Sequence, residues 1–164
     1  IQPLGHVQGK HIKDVEQVIR SFYGFECVVL PAAAHNKLLY AKSHKRYDAI
    51  KILNWFSSMR HHILVITEKD IAHYKSSAHP EWGILGLGKK PGKICVVSTY
   101  RMGEQPEISE RLKKVTVHEL GHNFSLDHCT SDTTCIMRAA DGKIQQIDQV
   151  KLQFCKPCKR KLIF

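Results

Sequence analysis

Two histidines and a glutamate stand at a spacing that suits a catalytic metal. His118 and His122 are four residues apart, so on a helix both imidazoles share one face and can bind one ion. Glu119 is one step further around that helix, where it can address a water on the ion without replacing a ligand. Catalytic zinc takes three protein ligands and a water, whose pKa falls to about 7. The spacing predicts metal-assisted attack on a carbonyl, with Glu119 as general base.

The His-Glu-x-x-His pattern alone is also compatible with a solvated helix face that carries two histidines and an acid. His128 argues against that alternative, because it follows His122 by six residues. The helix must then end near residue 124 or 125, so that the chain turns back and offers a third imidazole. This longer pattern is typical of metzincins, in which a methionine lies beneath the metal, and Met137 is the candidate for that position.

Four cysteines after the third histidine suit a second, structural zinc. Cys129 follows that histidine directly, and Cys135 begins a Cys-x-Met sequence. Cys155 and Cys158 form a Cys-x-x-Cys knuckle, which supplies two ligands from one tight turn. Four cysteines suit a closed tetrahedral zinc site. We therefore expect two Zn²⁺ per chain, one catalytic and one structural.

Residues 118–158 resemble the archaemetzincin family of zinc metallopeptidases. The family signature is His-Glu-x-x-His-x-x-Gly-x-x-His, then Cys-x4-Cys-x-Met, seventeen residues, and Cys-x-x-Cys; the seventeen-residue spacing is present here. The resemblance implies a metzincin-like fold and hydrolysis of peptide bonds by a zinc-bound water. It also implies these roles: a catalytic zinc on His118, His122 and His128, general base Glu119, a structural zinc on Cys129, Cys135, Cys155 and Cys158, and structural support from Met137.

The chain departs from this signature at two positions. Ser125 replaces the glycine at the bend after the helix, and a left-handed backbone there costs a non-glycine residue about 1 kcal/mol. The gap between Cys129 and Cys135 holds five residues rather than four. Neither change removes a ligand or Glu119, so the assignment stands.

Apolar periodicity predicts a three-layer α/β fold, with a mixed, mostly parallel sheet of about five strands flanked by helices. Helices are predicted over residues 12–22, 47–59 and 106–124, and strands over residues 25–30, 62–67 and 94–99. Residues 138–154 are predicted as a helix or an irregular connector that returns the chain to the cysteine site. Asp70 is predicted to cap a helix or turn rather than to bind metal.

Residues 80–93 are predicted to form an edge strand that borders the cleft. The resemblance implies that this edge pairs with extended substrate by strand addition. Gly86 and Gly88 are also compatible with a simple bulge or a packing constraint.

Length and composition predict a single domain over residues 1–164. The resemblance implies that it is a metallopeptidase domain, with the catalytic motif at 118–128 and the four-cysteine segment at 129–158. No apolar run is long enough to span a membrane, and the first residues have no signal-peptide layout. Cys27 and Cys95 lie in apolar runs, where a free thiol behaves as a small hydrophobe. With four zinc-type cysteines, this usage favours a reducing, cytoplasmic location.

The net charge of +10 admits two interpretations: attraction to acidic partners, or a solvated basic surface, which we favour. The leading hypothesis is a monomeric zinc metallopeptidase that acts on peptides or proteins and binds neither membranes nor nucleic acid. The alternative is a basic, zinc-stabilised binding protein of the same fold with little or no turnover, for nucleic acid or acidic partners. Glu119 favours catalysis, since a pure binding site would not need it between two ligands. The ordered signature disfavours a histidine-rich metal buffer.

Overall fold

The structure, a computed structural model, describes residues 1–162. Its strands are β1 (Gln2–Pro3), β2 (Tyr47–Asp48), β3 (Ile63–Thr67), β4 (Ile71–His73), β5 (Trp82–Ile84), β6 (Gly86–Gly88) and β7 (Ile94–Ser98). Its helices are α1 (Gly9–Tyr23), α2 (Ala49–Trp55), α3 (Glu107–Asn123), α4 (Ile144–Gln149) and α5 (Lys156–Lys161), with a 3-10 turn at Lys37–Leu39. In the described residues, no helix has the length and apolar character needed to cross a membrane.

The main sheet contains four strands in the order β1-β3-β7-β6. The first three run parallel, whereas β6 pairs antiparallel with β7 and forms one edge. A second sheet has the order β2-β4-β5, with β2 parallel and β5 antiparallel to β4. The prediction of a mixed, mostly parallel sheet is confirmed, although the strands are divided between a sheet of four and a sheet of three.

The residues of β3 alternate between two core clusters, as the period of two in a strand requires. Leu64 and Ile66 pack in the cluster that contains the apolar faces of α1 and α3. Ile63 and Val65 pack in the cluster that contains the apolar face of α2. The residues of β7 alternate in the same way. The sheet therefore lies between two helical layers, and the predicted three-layer α/β architecture is confirmed.

The helix that carries His118, Glu119 and His122 is α3, and its predicted extent is close to the observed one. Pro106 precedes it, and Glu107 and Glu110 lie in its first turn, where negative charge interacts favourably with the helix dipole. The helix ends at Asn123, because Phe124 leaves the helical conformation and Ser125 has a φ of 69°. It packs against α1, β6 and β7, so its position relative to the sheet edge is well defined.

The strand predicted over residues 25–30 is wrong. These residues adopt no regular strand, and the side chains of Val28 and Val29 are 72% and 42% exposed. The place beside β3 belongs to β1, a two-residue strand too short to give a periodic signal. The 25–30 segment instead forms backbone hydrogen bonds with Ile1. The Ile1 amine donates to Val28 O at 2.6 Å, and the Ile1 carbonyl accepts from Leu30 N at 2.9 Å. The apolar sequence of residues 25–30 suggested a strand, but apolar residues alone do not determine which segment pairs with β3.

Two smaller differences concern acidic residues. Helix α2 is shorter than predicted, since Asp48 caps its first turn and the helix ends at Trp55. The capping role predicted for Asp70 is also wrong, because its carboxylate binds two arginines. Arg101 donates to it through Nε at 2.7 Å and Nη2 at 2.9 Å, and Arg46 Nε lies 2.7 Å away. This ion-pair cluster joins segments distant in sequence, which local pattern cannot reveal.

Candidate active site

The fold brings the three histidines of the sequence motif together. His118 and His122 project from the last turns of α3, and His128 arrives from the segment that follows. The ring centroids are separated by 4.7 Å (118 to 122), 5.3 Å (118 to 128) and 4.8 Å (122 to 128). One ring nitrogen from each lies within 4.8 Å of the other two, so the three can address a common point.

The hydrogen bonds of two imidazoles determine which nitrogen is free to bind a metal. His118 Nδ1 donates to Ile136 O, and His122 Nδ1 donates to Leu126 O, both at 2.8 Å. The Nε2 atoms therefore carry lone pairs, and they face each other at 3.1 Å. Two lone pairs at this distance repel unless a cation lies between them. The separation is close to the roughly 3.3 Å expected for two nitrogens at about 2.0–2.1 Å from a tetrahedral zinc, so the residues fit that metal.

A left-handed turn at Ser125 brings the third histidine back towards the helix. Ser125 has a φ of 69°, and Leu126 N donates to Gly121 O at 3.0 Å across the bend. The same turn places Leu126 O where it accepts from His122. The position thus has the backbone conformation that a glycine adopts without strain, and serine occupies it here.

Burial keeps the three imidazoles neutral. The pKa of His118 falls to about 3, chiefly because burial disfavours the charged ring, with His122 adding repulsion. Burial also lowers the pKa of His122 and of His128. Neutral imidazole is the form that binds a metal, so the ligands need lose no proton near neutral pH.

Glu119 lies against the edge strand β6 and is only 7% exposed. Burial raises its pKa to about 8, even though the backbone N–H of Gly88 donates to the carboxylate. Glycines permit this close approach. A Cβ at Gly86 would lie 2.7 Å from Glu119 Oε1, and one at Gly88 would lie 2.5 Å from Glu119 O. Sequence reasoning considered these glycines for the edge or a bulge but missed that Gly86 makes room for the carboxylate and Gly88 for the backbone carbonyl of Glu119.

Met137 lies directly beneath α3 and is fully buried. A Cβ added to Gly121 would approach its Sδ to 2.5 Å, so the helix has a glycine where the methionine touches it. Backbone hydrogen bonds connect the segment around Met137 to the histidine and cysteine clusters. Cys129 N donates to Met137 O at 2.8 Å, and Ile136 O accepts from His118 Nδ1. Met137 therefore packs against the helix that carries His118 and His122.

The four predicted cysteines also converge. Cys129, Cys135, Cys155 and Cys158 are buried, and their sulfurs lie within 4.8 Å of one another. Cys129 Sγ and Cys155 Sγ are 3.6 Å apart, which is too far for a disulfide and close to the spacing of two thiolates at about 2.3 Å from a tetrahedral zinc. The five-residue gap after Cys129 therefore does not keep the four sulfurs apart.

The cysteine cluster stabilises negative charge at one sulfur. Burial alone would raise the pKa of Cys129, but hydrogen bonds from Ser131 and from the Asp132 backbone lower it to about 6. Burial raises the pKa values of Cys135 and Cys158. A cation among the four sulfurs is what would allow them all to be thiolates.

A cleft of about 610 Å³ runs past the histidines and Glu119, with β6 along one side. Its wall beside the site is apolar and includes Leu85, Val115 and Ile147, the last from α4. Sequence reasoning described the 138–154 region as a helix or connector and missed its contribution to this wall. The signal was present, since Ile144 and Ile147 are apolar at helical spacing.

A three-layer α/β fold with three convergent imidazoles, a buried glutamate beside them and an apolar cleft along a sheet edge defines a metallopeptidase of the metzincin class. Comparison with known proteins agrees. The model of Peptidase family M54 matches residues 9–163. The archaemetzincin of Archaeoglobus fulgidus is 29% identical over 164 residues, which cover 99% of this chain and 96% of the relative. That of Methanopyrus kandleri is 31% identical over 124 residues, which cover 73% of this chain and 67% of the relative.

Solved structures show the same fold. The crystal structure of the A. fulgidus archaemetzincin, complexed with malonate, superposes with a TM-score of 0.85 at 27% identity and covers 98% of this chain and 97% of that one. The M. kandleri structure gives a TM-score of 0.80 at 24% identity, with 98% and 93% covered. The chain belongs to peptidase family M54, the archaemetzincins. It is a zinc metallopeptidase, and the predicted family, fold class and enzyme class are confirmed, whereas the binding-protein alternative is not supported.

Proposed function

We propose that His118, His122 and His128 hold the catalytic zinc and that Glu119 is the general base. The observation that carries this assignment is the pair of unprotonated Nε2 atoms 3.1 Å apart, each fixed by an Nδ1 bond to a backbone carbonyl. Such bonds orient metal-binding imidazoles and set their tautomers. Met137 supports the site from below without touching the substrate.

A zinc held by His118, His122 and His128 would act as a Lewis acid, which would polarise the scissile carbonyl and lower the pKa of the attacking water. Glu119 accepts the proton of that water as the new C–O bond forms, and then delivers it to the leaving amine as the C–N bond breaks. Burial raises the pKa of the Glu119 carboxyl to about 8 in the metal-free site, and the positive charge of a bound zinc would lower it again, so that the ionised form would be available to accept the proton. Placement beside β6 keeps the carboxylate where the scissile bond of an edge-bound peptide would lie.

The peptide substrate, on this proposal, extends along β6 as an added strand. The unpaired side of this edge strand can hydrogen-bond the peptide backbone, and the cleft beside it accepts side chains. Leu85, Val115 and Ile147 would receive an apolar side chain next to the scissile bond. We propose that Cys129, Cys135, Cys155 and Cys158 hold the second zinc, so that each chain carries two.

Several further predictions remain proposals. We propose that residues 1–164 form one domain that acts as a monomer, without membrane or nucleic-acid partners. A cytoplasmic location is supported by the six cysteines, none of which forms a disulfide.

Glu119→Gln tests the proposed mechanism, since glutamine keeps the size of the side chain but cannot accept the proton. Cleavage of a peptide library should fall by about 10²–10⁴-fold, with zinc content and thermal stability retained. Gln17→Glu, on the exposed face of α1, controls for the effects of mutagenesis and purification and should cleave as wild type does. Undiminished cleavage by Glu119→Gln with full zinc content would show that another group moves the proton.

A further inference from the structure

Helix α4 forms one wall of the cleft, and its position depends on contacts with α3. It has only six residues, and a helix this short is not stable without tertiary contacts. Its Ile147 is buried and lines the cleft together with Val115 of α3, which lies three residues before His118. The contacts that hold α4 therefore determine the shape of the cleft next to the histidines.

Lys114 holds the C-terminal end of α4. Its side chain is buried, which is rare for a lysine unless its ammonium group is paired. Lys114 Nζ donates to Ile147 O at 3.2 Å and to Asp148 O at 3.5 Å, and it lies 2.9 Å from Glu110 Oε1. Both carbonyls belong to the last four residues of α4, whose carbonyls have no partner within the helix. A lysine at this end also interacts favourably with the helix dipole.

Arg111 lies one turn earlier on the same face of α3 and holds the side chain of Asp148. Its Nε and Nη2 atoms each donate to the carboxylate at 2.7 Å. Its Nη1 donates to Met102 O at 2.8 Å, so all three guanidinium nitrogens are engaged and the orientation of the group is fixed. Arg111 and Lys114 are three residues apart, and they contact the same turn of α4 through its side chain and its carbonyls.

The proposed mechanism uses neither of these basic residues. Neither Arg111 nor Lys114 lines the cleft, so any effect that they have on a substrate must pass through α4. The residue of α4 that the substrate can meet is Ile147, whose own carbonyl is bonded to Lys114.

We infer that Arg111 and Lys114 are positioning residues that set the substrate selectivity of the cleft, because they hold α4 where Ile147 limits the apolar pocket beside the scissile bond. The inference rests on the proposed function and adds what fixes the size of that pocket. A loosely held α4 leaves a wall of variable position, which weakens discrimination between apolar side chains and leaves the chemical step intact. One methylene group in an apolar pocket changes kcat/KM by about 10–200-fold, so the effect is measurable.

A pair of peptides measures this selectivity. A library peptide that wild type cleaves is remade with leucine and with alanine at each position beside the scissile bond. The position with the larger preference for leucine is then used. The selectivity ratio is kcat/KM for the leucine peptide divided by kcat/KM for the alanine peptide.

Lys114→Met and Asp148→Ala should each lower the selectivity ratio about tenfold, chiefly by raising KM for the leucine peptide, whereas kcat for the alanine peptide should change less than about twofold. Lys113→Met is the matched control. It removes the same charge from the same helix, but Lys113 contacts Asp14 of α1 instead of α4, so the ratio should stay at the wild-type value.

A double variant shows whether the effect passes through Ile147. Ile147→Ala shortens the wall itself and should lower the ratio by a similar factor. Adding Asp148→Ala to it should lower the ratio no further, because both changes act on the same wall. Thermal melts and zinc content are measured on every variant. If Lys114→Met does not fold, Asp148→Ala still carries the test, because the Asp148 side chain is 45% exposed and its loss leaves no buried group unpaired on α4.

The failures of the two proposals are distinguishable. If wild type cleaves no member of a broad library, the proposed function fails. If wild type cleaves peptides but does not prefer leucine at either position, the inference is overturned while the peptidase assignment stands. The inference is also overturned if folded variants keep the wild-type ratio, lose activity equally on both peptides, or show an Asp148→Ala effect that multiplies fully with that of Ile147→Ala.

Discussion

Gly86→Ala should slow catalysis without removing the zinc. The added Cβ would lie 2.7 Å from Oε1 and Cγ of Glu119 and 3.0 Å from its Cδ. An ordinary contact begins at 3.4 Å, so the carboxylate must move by at least 0.7 Å. Displacements of about 1 Å at a reacting group cost on the order of 10²-fold in rate. Because the displaced atoms belong to a side chain rather than to the backbone, the fold should tolerate the change.

We therefore expect kcat to fall by about 10–100-fold, with KM nearly unchanged, since the variant displaces the base and leaves the cleft intact. The assay is steady-state cleavage of a fluorogenic peptide, with elemental analysis of zinc and a thermal melt on the same preparation. Gly9→Ala is the matched control, because a Cβ at Gly9 would have no heavy atom within 4 Å apart from its chain neighbours and the backbone of its own helix.

The reasoning is refuted if Gly86→Ala retains wild-type kcat. It is equally refuted if activity is lost together with zinc or folding, because the glycine would then be needed for the frame of the site and not for the position of Glu119.

Three further predictions follow from the same geometry. Ser125→Gly should raise the free energy of unfolding by up to about 1 kcal/mol, since glycine adopts the φ of 69° without strain; chemical denaturation measures this, and a destabilised variant would contradict it. In zinc-free protein, the folded state retains the Glu119 proton between pH 4.5 and about 8 whereas the unfolded state has released it, so stability should fall across that range relative to Glu119→Gln. A pH-independent difference between the two proteins would refute the buried acid. Removing metal with a chelator should speed hydrogen exchange in residues 129–162, because ligand binding there contributes folding free energy; unchanged exchange would argue against a structural zinc.

The residues of the candidate site were easier to predict from the sequence than the strand pairing of the sheet, for a physical reason. Ligand spacing is local: His118 and His122 need only a helix between them, and Cys155 and Cys158 need only a turn. Strand pairing is not local, and β1 gains its place through contact with a strand sixty residues away. The run at residues 25–30 is as apolar as a strand yet exposes Val28. The apolar composition of a segment indicates that it could be buried in a sheet. Whether it becomes a strand depends on which other segments compete to pair with the same neighbour.

The same distinction applies within the site. The pairing of Gly86 and Gly88 with Glu119 depends on how closely β6 approaches α3, which no periodicity encodes. The strain expected at Ser125, by contrast, followed from one substitution in a local bend, and the φ of 69° agrees with it. Contacts set by a single turn are predictable from sequence, whereas contacts between layers need the fold.

Zinc counted per chain, by elemental analysis of wild type and two variants, tests the central claim most directly. Two separate sites predict two zincs in wild type, one in His128→Ala with cleavage lost, and one in Cys158→Ser with the remaining ion on the histidines. One zinc in wild type, or a His128→Ala protein that still holds two and still cleaves, would contradict the account.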